Sequence, residues 1–204
     1  MSNGRDEGGR FSRLAWARQV HGNHVLLAPG APAGNRPSAP PAWQQLGVGD
    51  ALIGTNPDVA TAVFTADCGA VALASDRGEW AAVHAGWRGL EAGVVERAVE
   101  AMVDRGASSL TAADGPCIHP ECYEFAEDDL RGLEDRFGPG VRSVTAAGTL
   151  AFDLPRALRT ALEQLEVSVL DGEDVCTACS PRFFSHRARG DTGRQALVMW
   201  SVAS

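Results

Sequence analysis

Three residues whose side chains can bind a metal or act as nucleophiles stand at the ends of short apolar runs. They are His21 in Gln19-Val20-His21-Gly22, Cys68 in Thr65-Ala66-Asp67-Cys68 and His84 in His84-Ala85-Gly86-Trp87-Arg88-Gly89. Short apolar runs predict buried strands, and strand ends beside glycine-containing turns can bring side chains from different strands to one point. The sequence therefore allows these three side chains to converge on one point.

Two histidines and one cysteine form a ligand set that suits zinc or copper, and three protein ligands leave a fourth position for water or substrate. Spacing alone also allows a buried cysteine and two histidines bonded to backbone, because no short metal-binding motif joins the three. A hairpin turning at Arg77-Gly78 would place His84 opposite position 71 and on the other face from Cys68. Convergence would then need a break in the strand, which we expect at Gly69.

Strands and helices alternate irregularly along the chain. The expected strands are 14–20, 24–28, 60–64, 70–74, 80–83, 167–170 and 195–202, and the expected helices are 88–105, 127–137 and 153–165. Gly22-Asn23 between the first two strands predicts a hairpin turn. Apolar residues recurring every three or four positions from Leu90 to Val103 predict the first helix. These elements predict an α+β (mixed α/β) fold with mixed sheets.

Composition predicts an ordinary globular protein. The chain has 204 residues, of which 45% are hydrophobic and 22% charged, and this favours one domain over 1–204. A polar, glycine-rich stretch predicts a disordered tail at 1–10, and a proline-rich stretch predicts a surface loop at 29–48.

The charge and the cysteine content of the chain limit the kinds of partner and the cellular compartment that we expect. The net charge of −8 argues against nucleic acid, and the absence of a long apolar run argues against a membrane. Five cysteines, an odd number in a chain too long to need disulfides, favour a reducing cytoplasmic compartment. We expect a monomer or a weak homo-oligomer.

Several local sequences occur in the order found in one known family. They are Gln19-Val20-His21-Gly22, Gly49-Asp50-Ala51-Leu52-Ile53, Thr65-Ala66-Asp67-Cys68, the segment from His84 to Leu90, Gly115-Pro116-Cys117-Ile118, Cys122-Tyr123-Glu124, Phe183-Phe184-Ser185 and Thr192-Gly193-Arg194. From about Leu14 onward the chain resembles the YfiH-type family, also called the laccase-domain or polyphenol oxidase family. Its members are described as purine nucleoside phosphorylases.

The resemblance implies a zinc ion held by His21, Cys68 and His84, with copper as the alternative metal. It implies an α-β-β-α layered sandwich with mixed sheets, related to toxins of the cytotoxic necrotizing factor type. The implied activities are phosphorolysis of adenosine, inosine, guanosine and methylthioadenosine, and deamination of adenosine. Purine nucleoside and phosphate are therefore the expected partners.

Substrate binding requires cations and a stacking surface. Arg88, Arg187 and Arg194 are the candidate phosphate ligands, with a solvated surface charge as the alternative for each and most of all for Arg88 and Arg194. Asp67 is a candidate to orient a histidine N–H or accept a proton, with a hydrogen bond at the strand end as its alternative. Trp87 could stack on a purine or belong to the core.

The other four cysteines are Cys117, Cys122, Cys176 and Cys179. Their spacing allows a second, structural zinc site or a redox pair. The resemblance favours partly buried thiols near the mouth of the site instead.

Some departures from the family pattern keep other functions open. The Ser-x-Arg-x-Gly-Gly-Val-Ser segment usual before Gln-Val-His-Gly is not found here, and Gly69-Ala70 and His119 also differ from the usual residues. The alternatives are a peptidoglycan editing hydrolase using Cys68 and His84 on a mis-charged nucleotide-muropeptide precursor, a copper-dependent polyphenol oxidase, and a zinc-binding member with impaired catalysis.

Overall fold

The computed structural model describes residues 11–30, 42–170, 172 and 174–201. Its strands are β1 (Arg13–Arg18), β2 (Val25–Leu27), β3 (Ala42–Val48), β4 (Ala51–Gly54), β5 (Val59–Thr65), β6 (Gly69–Ser75), β7 (Trp80–Ala85), β8 (Leu110–Asp114), β9 (Arg142–Val144), β10 (Leu150–Phe152), β11 (Ser168–Val169) and β12 (Gln195–Met199). Its helices are α1 (Trp87–Glu91), α2 (Val94–Asp104), α3 (Glu127–Phe137), α4 (Leu154–Gln164) and α5 (His186–Arg189), with short 3₁₀ helices at Pro120–Cys122 and Pro139–Val141.

The strands form two large mixed sheets and one small one. A four-stranded sheet has the order β12-β5-β1-β3, and a six-stranded sheet has the order β11-β8-β6-β7-β4-β2. Strands β9 and β10 pair as a separate antiparallel ribbon. Both large sheets contain parallel and antiparallel pairs, so the expected mixed α/β fold with mixed sheets is confirmed.

Two apolar clusters hold the layers together. The larger one joins the six-stranded sheet to α2, α3 and α4, and Phe152, Leu158 and Met102 are fully buried in it. The smaller one lies between the two sheets, where Leu52 of β4 meets Val59 and Val63 of β5. None of the helices in the described ranges is both long enough and apolar enough to cross a lipid bilayer.

Three expectations about local structure are wrong. Strands β1 and β2 do not form a hairpin at Gly22-Asn23, because β1 pairs in the four-stranded sheet and β2 pairs in parallel with β4 in the other sheet. Residues 42–48 of the expected surface loop form β3. The single helix expected at 88–105 is two helices separated at Gly93, where φ is +83°.

Two predictions about the ends and the loop fall outside the described residues. These are the disordered tail at 1–10 and the part of the proline-rich loop from 31 to 41. That the whole chain is one domain stays a prediction.

The register of β6 and β7 removes the need for a break at Gly69. His84 lies opposite Ala70, and Gly69 lies opposite Ala85 in an uninterrupted antiparallel ladder. The turn between the strands is therefore one residue off the expected register, and His84 faces position 70 rather than 71. Because side chains alternate along a strand, position 68 projects to the same side as position 70.

Gly93→Ala should destabilise the protein, because a left-handed φ disfavours a Cβ and the added atom would lie 3.0 Å from Arg136 Nη2. We expect a loss of about 1 kcal/mol or more in the free energy of unfolding. Chemical denaturation measures it, and Gly140→Ala, whose nearest neighbour would be 3.7 Å away, is the matched control. Equal stability of the two variants would contradict the assignment of Gly93 as the required break between α1 and α2.

Candidate metal centre and its cavity

The structure brings His21, Cys68 and His84 together at the point where three segments end. One ligand atom from each lies within 4.8 Å of the others, and Cys68 Sγ is 3.7 Å from His21 Nε2. The two imidazole rings meet edge to face with centroids 4.8 Å apart. The three side chains therefore converge, and the three donors could bind one metal ion.

A buried carboxylate, that of Asp50, organises both histidines. Asp50 is fully buried and accepts a hydrogen bond from His84 Nδ1 at 2.8 Å. It also accepts from the backbone N–H groups of Val20, His21 and Gly22 at 2.9 to 3.2 Å. The carboxylate thus fixes the loop that carries His21 and holds the proton of His84 on Nδ1, which leaves His84 Nε2 as the ligand atom.

The same contacts change the acidity of the site in the absence of metal. Burial opposes ionisation of the Cys68 thiol, but hydrogen bonds with His21 and His84 outweigh burial and lower its pKa to about 6. Burial likewise opposes charging of His84, but Asp50 and Cys68 raise its pKa to about 9. Burial raises the pKa of Asp50, yet His84 and the backbone N–H groups bring it below its ordinary value. Near neutral pH the metal-free site is therefore a thiolate beside an imidazolium.

Local backbone geometry makes room for this arrangement. His21 and Asp67 both have positive φ values, +59° and +87°, a conformation that is uncommon for L-residues and that histidine, asparagine and aspartate adopt more often than the others. Gly86 faces the site, where a Cβ would lie 2.7 Å from His21 Cδ2 and 3.1 Å from Cys68 Sγ. A side chain at position 86 would therefore displace two of the three candidate ligands.

The three residues line a cavity of about 540 Å³. Its other lining residues include three aromatic side chains, Trp16, Phe64 and Tyr123, and the cationic side chains of Arg18, Arg187 and Arg194. A concave site with apolar walls and a few polar groups is typical of a small-molecule site.

The candidate substrate residues divide into two groups. Arg187 and Arg194 line the cavity. Arg187 donates from Nη1 to the carbonyl oxygen of Glu124 and lies 4.8 Å from the Tyr123 ring centroid. Arg88 does not line the cavity, because it is exposed and lies over the ring of Trp87. Trp87 itself packs edge to face on Phe125 at 5.2 Å, in the core rather than in the cavity.

Asp67 lines the cavity, but it does not orient a histidine. Its two carboxylate oxygens accept hydrogen bonds from the Thr177 hydroxyl and the Arg187 backbone N–H, each at 2.7 Å. Both oxygens of Asp67 are therefore engaged by groups other than histidine, and the carboxylate that contacts His84 is that of Asp50.

Sequence reasoning missed Asp50 and the aromatic walls. Asp50 stands in the family-like segment Gly49-Asp50-Ala51-Leu52-Ile53, and a lone acidic residue directly before a fully apolar strand was the available signal. Gln19 was also missed: its side chain donates to Phe64 O at 2.7 Å and accepts from Phe64 N at 2.8 Å. It thereby ties the segment before His21 to the end of β5.

Fold and site together define a mixed α/β protein with two histidines and a cysteine converging in one cavity. A family model described as "Multi-copper polyphenol oxidoreductase laccase" matches residues 5–202. The chain belongs to this family, and its resemblance to YfiH-type proteins is confirmed.

Two relatives share the same activity name, and a solved structure shares the fold. The chain is 38% identical over 192 residues to a purine nucleoside phosphorylase of Mycobacterium tuberculosis, covering 93% of this chain and 72% of that protein. It is 32% identical over 202 residues to the purine nucleoside phosphorylase YfiH of Escherichia coli, covering 94% and 75%. The crystal structure of YlmD from Geobacillus stearothermophilus superposes with a TM-score of 0.74 at 28% identity, covering 93% of this chain and 73% of that one.

In metal-free protein, alkylation of Cys68 by iodoacetamide should follow a titration with a midpoint near pH 6, since only the thiolate reacts and the histidines lower its pKa to about 6. The rate should rise as the pH passes this value and level off near neutrality. Mass spectrometry of the Cys68 peptide after chelation and timed alkylation measures it. A midpoint near 8.5, the value of an ordinary cysteine, would show that the histidines do not stabilise the thiolate.

Asp50→Asn should weaken zinc binding at the His21, Cys68 and His84 donors by about 10- to 100-fold, because the carboxylate that orients His84 and the His21 loop is lost. Competition with a chromophoric chelator gives the affinity. Asp104→Asn, at the end of α2, removes a charge away from the site and is the control. Equal affinities of the two variants would exclude Asp50 as the orienting group.

Proposed function

We propose that the protein is a zinc-dependent purine nucleoside phosphorylase that also deaminates adenosine. The observation that carries the proposal is the convergence of His21, Cys68 and His84 in a cavity with aromatic and cationic walls. Relatives at 32% and 38% identity, named as purine nucleoside phosphorylases, support the choice of substrate.

The donor set fits zinc. Asp50 holds the His84 proton on Nδ1, and the imidazoles lower the pKa of the Cys68 thiol, so the site is prepared to present two nitrogen atoms and a thiolate. Three such ligands are typical of a catalytic zinc site with one position left open. When bound, zinc supplies Lewis acidity and a water molecule of lowered pKa, the chemistry that deamination of adenosine needs.

The chain's own residues account for binding of the two substrates. Arg187 and Arg194 would bind phosphate: Arg187 uses one donor on Glu124 and retains others for an anion. Tyr123, Phe64 and Trp16 offer ring faces and edges for the purine. A phosphate oxygen then attacks C1′ of the ribose, the C1′–N9 bond breaks, and its electron pair leaves with the base, which takes up a proton. Asp67 is a positioning residue in this scheme, since both its oxygens already accept hydrogen bonds.

One observation favours a second candidate. A thiolate at Cys68 paired with a protonated His84 is the resting state of a cysteine hydrolase, so the metal-free site could hydrolyse a mis-charged nucleotide-muropeptide precursor. The two functions differ in their metal requirement. Phosphorolysis and deamination should disappear on chelation, whereas a thiolate nucleophile should gain activity.

Purified protein incubated with adenosine and phosphate should yield adenine with ribose 1-phosphate, and inosine. Cys68→Ala should lose both products together with the metal bound at the His21, Cys68 and His84 centre, and Cys117→Ala, a buried thiol that does not line the cavity, should retain them. Mass spectrometry of products and elemental analysis of the proteins measure both, and the latter also decides between zinc and copper. Bound zinc without product in the wild type would contradict the proposed activity and favour a catalytically impaired zinc protein.

Replacement of the cavity arginines tests the phosphate site separately. Arg187→Gln and Arg194→Gln should each raise the KM for phosphate roughly 10-fold, because each loses a charge-assisted hydrogen bond. Arg88→Gln, on the surface over Trp87, is the matched control and should leave it unchanged. An equal KM in all three would place the phosphate elsewhere.

A further inference from the structure

Outside the first centre, a second group of metal-binding side chains comes together from two distant segments. Ligand atoms of Glu121, Cys122, Cys176 and Cys179 all lie within 4.8 Å of one another. Cys122 Sγ is 3.4 Å from Cys179 Sγ, and Cys179 Sγ is 3.6 Å from Glu121 Oε1. The sequence spacing had suggested four cysteines, but the structure supplies Glu121 in place of Cys117.

This donor set has the composition of a closed zinc site. Zinc bound at about 2.3 Å by tetrahedrally arranged sulfurs separates them by roughly 3.8 Å, close to the spacing of Cys122 and Cys179. Three thiolates and one carboxylate complete four-coordination and leave no position for substrate. Such a closed set is typical of a structural ion rather than a catalytic one.

Outer contacts of the kind that support metal ligands are present. The backbone N–H of His119 donates to Cys176 Sγ at 3.4 Å, a contact that stabilises negative charge on sulfur. His119 Nδ1 lies 3.9 Å from Glu121 Oε1, the oxygen that faces Cys179. One of the four donors, Cys176, is thus held by a backbone hydrogen bond, and it is also buried.

We propose that Cys122, Cys176, Cys179 and Glu121 bind a second zinc ion that fastens the 3₁₀ helix at Pro120–Cys122 to the turn at 176–179. Binding converts three thiols into thiolates and releases three protons, with no change in oxidation state. The proposal does not depend on the catalytic assignment of the first centre.

The position of the cluster gives the ion a structural role. Tyr123, next to Cys122, lines the cavity, and Thr177, between Cys176 and Cys179, is fully buried and donates to Asp67. Asp67 in turn precedes Cys68. An ion that holds the two segments together would therefore fix one wall of the cavity and the residue beside the first centre.

Zinc content of the purified chain under reducing conditions tests the proposal in a background without the first centre. Cys68→Ala protein loaded with zinc and passed through gel filtration should retain about one equivalent, and adding Cys122→Ser with Cys179→Ser should abolish it. Adding Cys117→Ala instead is the control and should leave the zinc in place. No retained zinc in Cys68→Ala protein, or zinc indifferent to the two serine substitutions, would overturn the proposal.

Two further measurements keep the test decisive if the serine variants fold poorly. Cobalt(II) added to Cys68→Ala protein should give the intense visible and near-ultraviolet bands of a tetrahedral thiolate site, and weak octahedral bands would contradict it. A chelator should lower the Tm of Cys68→Ala protein by roughly 5 °C or more. A disulfide between Cys122 and Cys179 that persists when the protein is purified under reducing conditions would also overturn the proposal. Mass spectrometry would detect it as a protein mass lower by two hydrogens.

Discussion

The hydrogen bonds accepted by the buried carboxylate of Asp50 are the interaction on which the site depends. A carboxylate without contact to water is stable only when its oxygens are fully bonded. Three successive backbone N–H groups and the His84 imidazole supply those bonds. The cost of burying the charge is therefore offset only when the His21 loop and His84 are both in place. The Asp50 carboxylate thus couples two candidate ligands, His21 in the loop between β1 and β2 and His84 on β7. It also lets the His21 backbone remain at a positive φ.

The pairing of β6 with β7 positions the third candidate ligand, Cys68. Gly69 lies opposite Ala85, and Ala70 lies opposite His84. Cys68, which directly precedes β6, therefore projects to the same side of the sheet as His84. Gly86 follows β7 without a side chain, which leaves space for Cys68 Sγ and His21. The strands therefore set the approximate positions, and the absence of a single Cβ permits the short distances between donors. Rigid strand ends hold such a constellation more accurately than a loop would.

The candidate ligands could be predicted from the sequence, but the group that orients them could not. His21, Cys68 and His84 are chemically distinctive and end apolar runs, so residue type and position singled them out, and the resemblance to the YfiH-type family favoured their role as metal ligands. Asp50 directly precedes such a run, yet an acidic residue there is commonly exposed, and its burial becomes evident only when β4 lies between β7 and β2. The hairpin expected at Gly22-Asn23 failed for a related reason: local turn chemistry cannot reveal that β1 and β2 pair in different sheets. The expected opposite faces of Cys68 and His84 followed from a register error of one residue, which a turn sequence does not fix.

The part of the site beyond the three donors is built by contacts between segments far apart in sequence. Asp67 accepts from Thr177 and from the backbone of Arg187, more than 100 positions away along the chain. Arg189 extends this connection by donating to the carbonyl oxygens of Thr177 and Ala178. A helix of only four residues, α5, has little stability of its own, so these bonds, and the Ser185 cap, must hold it at the cavity. The position of the Arg187 backbone is consequently set by Asp67, beside the first centre, and by the turn that carries Cys176 and Cys179, while its guanidinium donates to the carbonyl oxygen of Glu124. The cavity arginine Arg187 and the candidate ligand Cys68 therefore share one set of supports, and a change in the turn at 176–179 reaches Cys68 through a single buried carboxylate, that of Asp67.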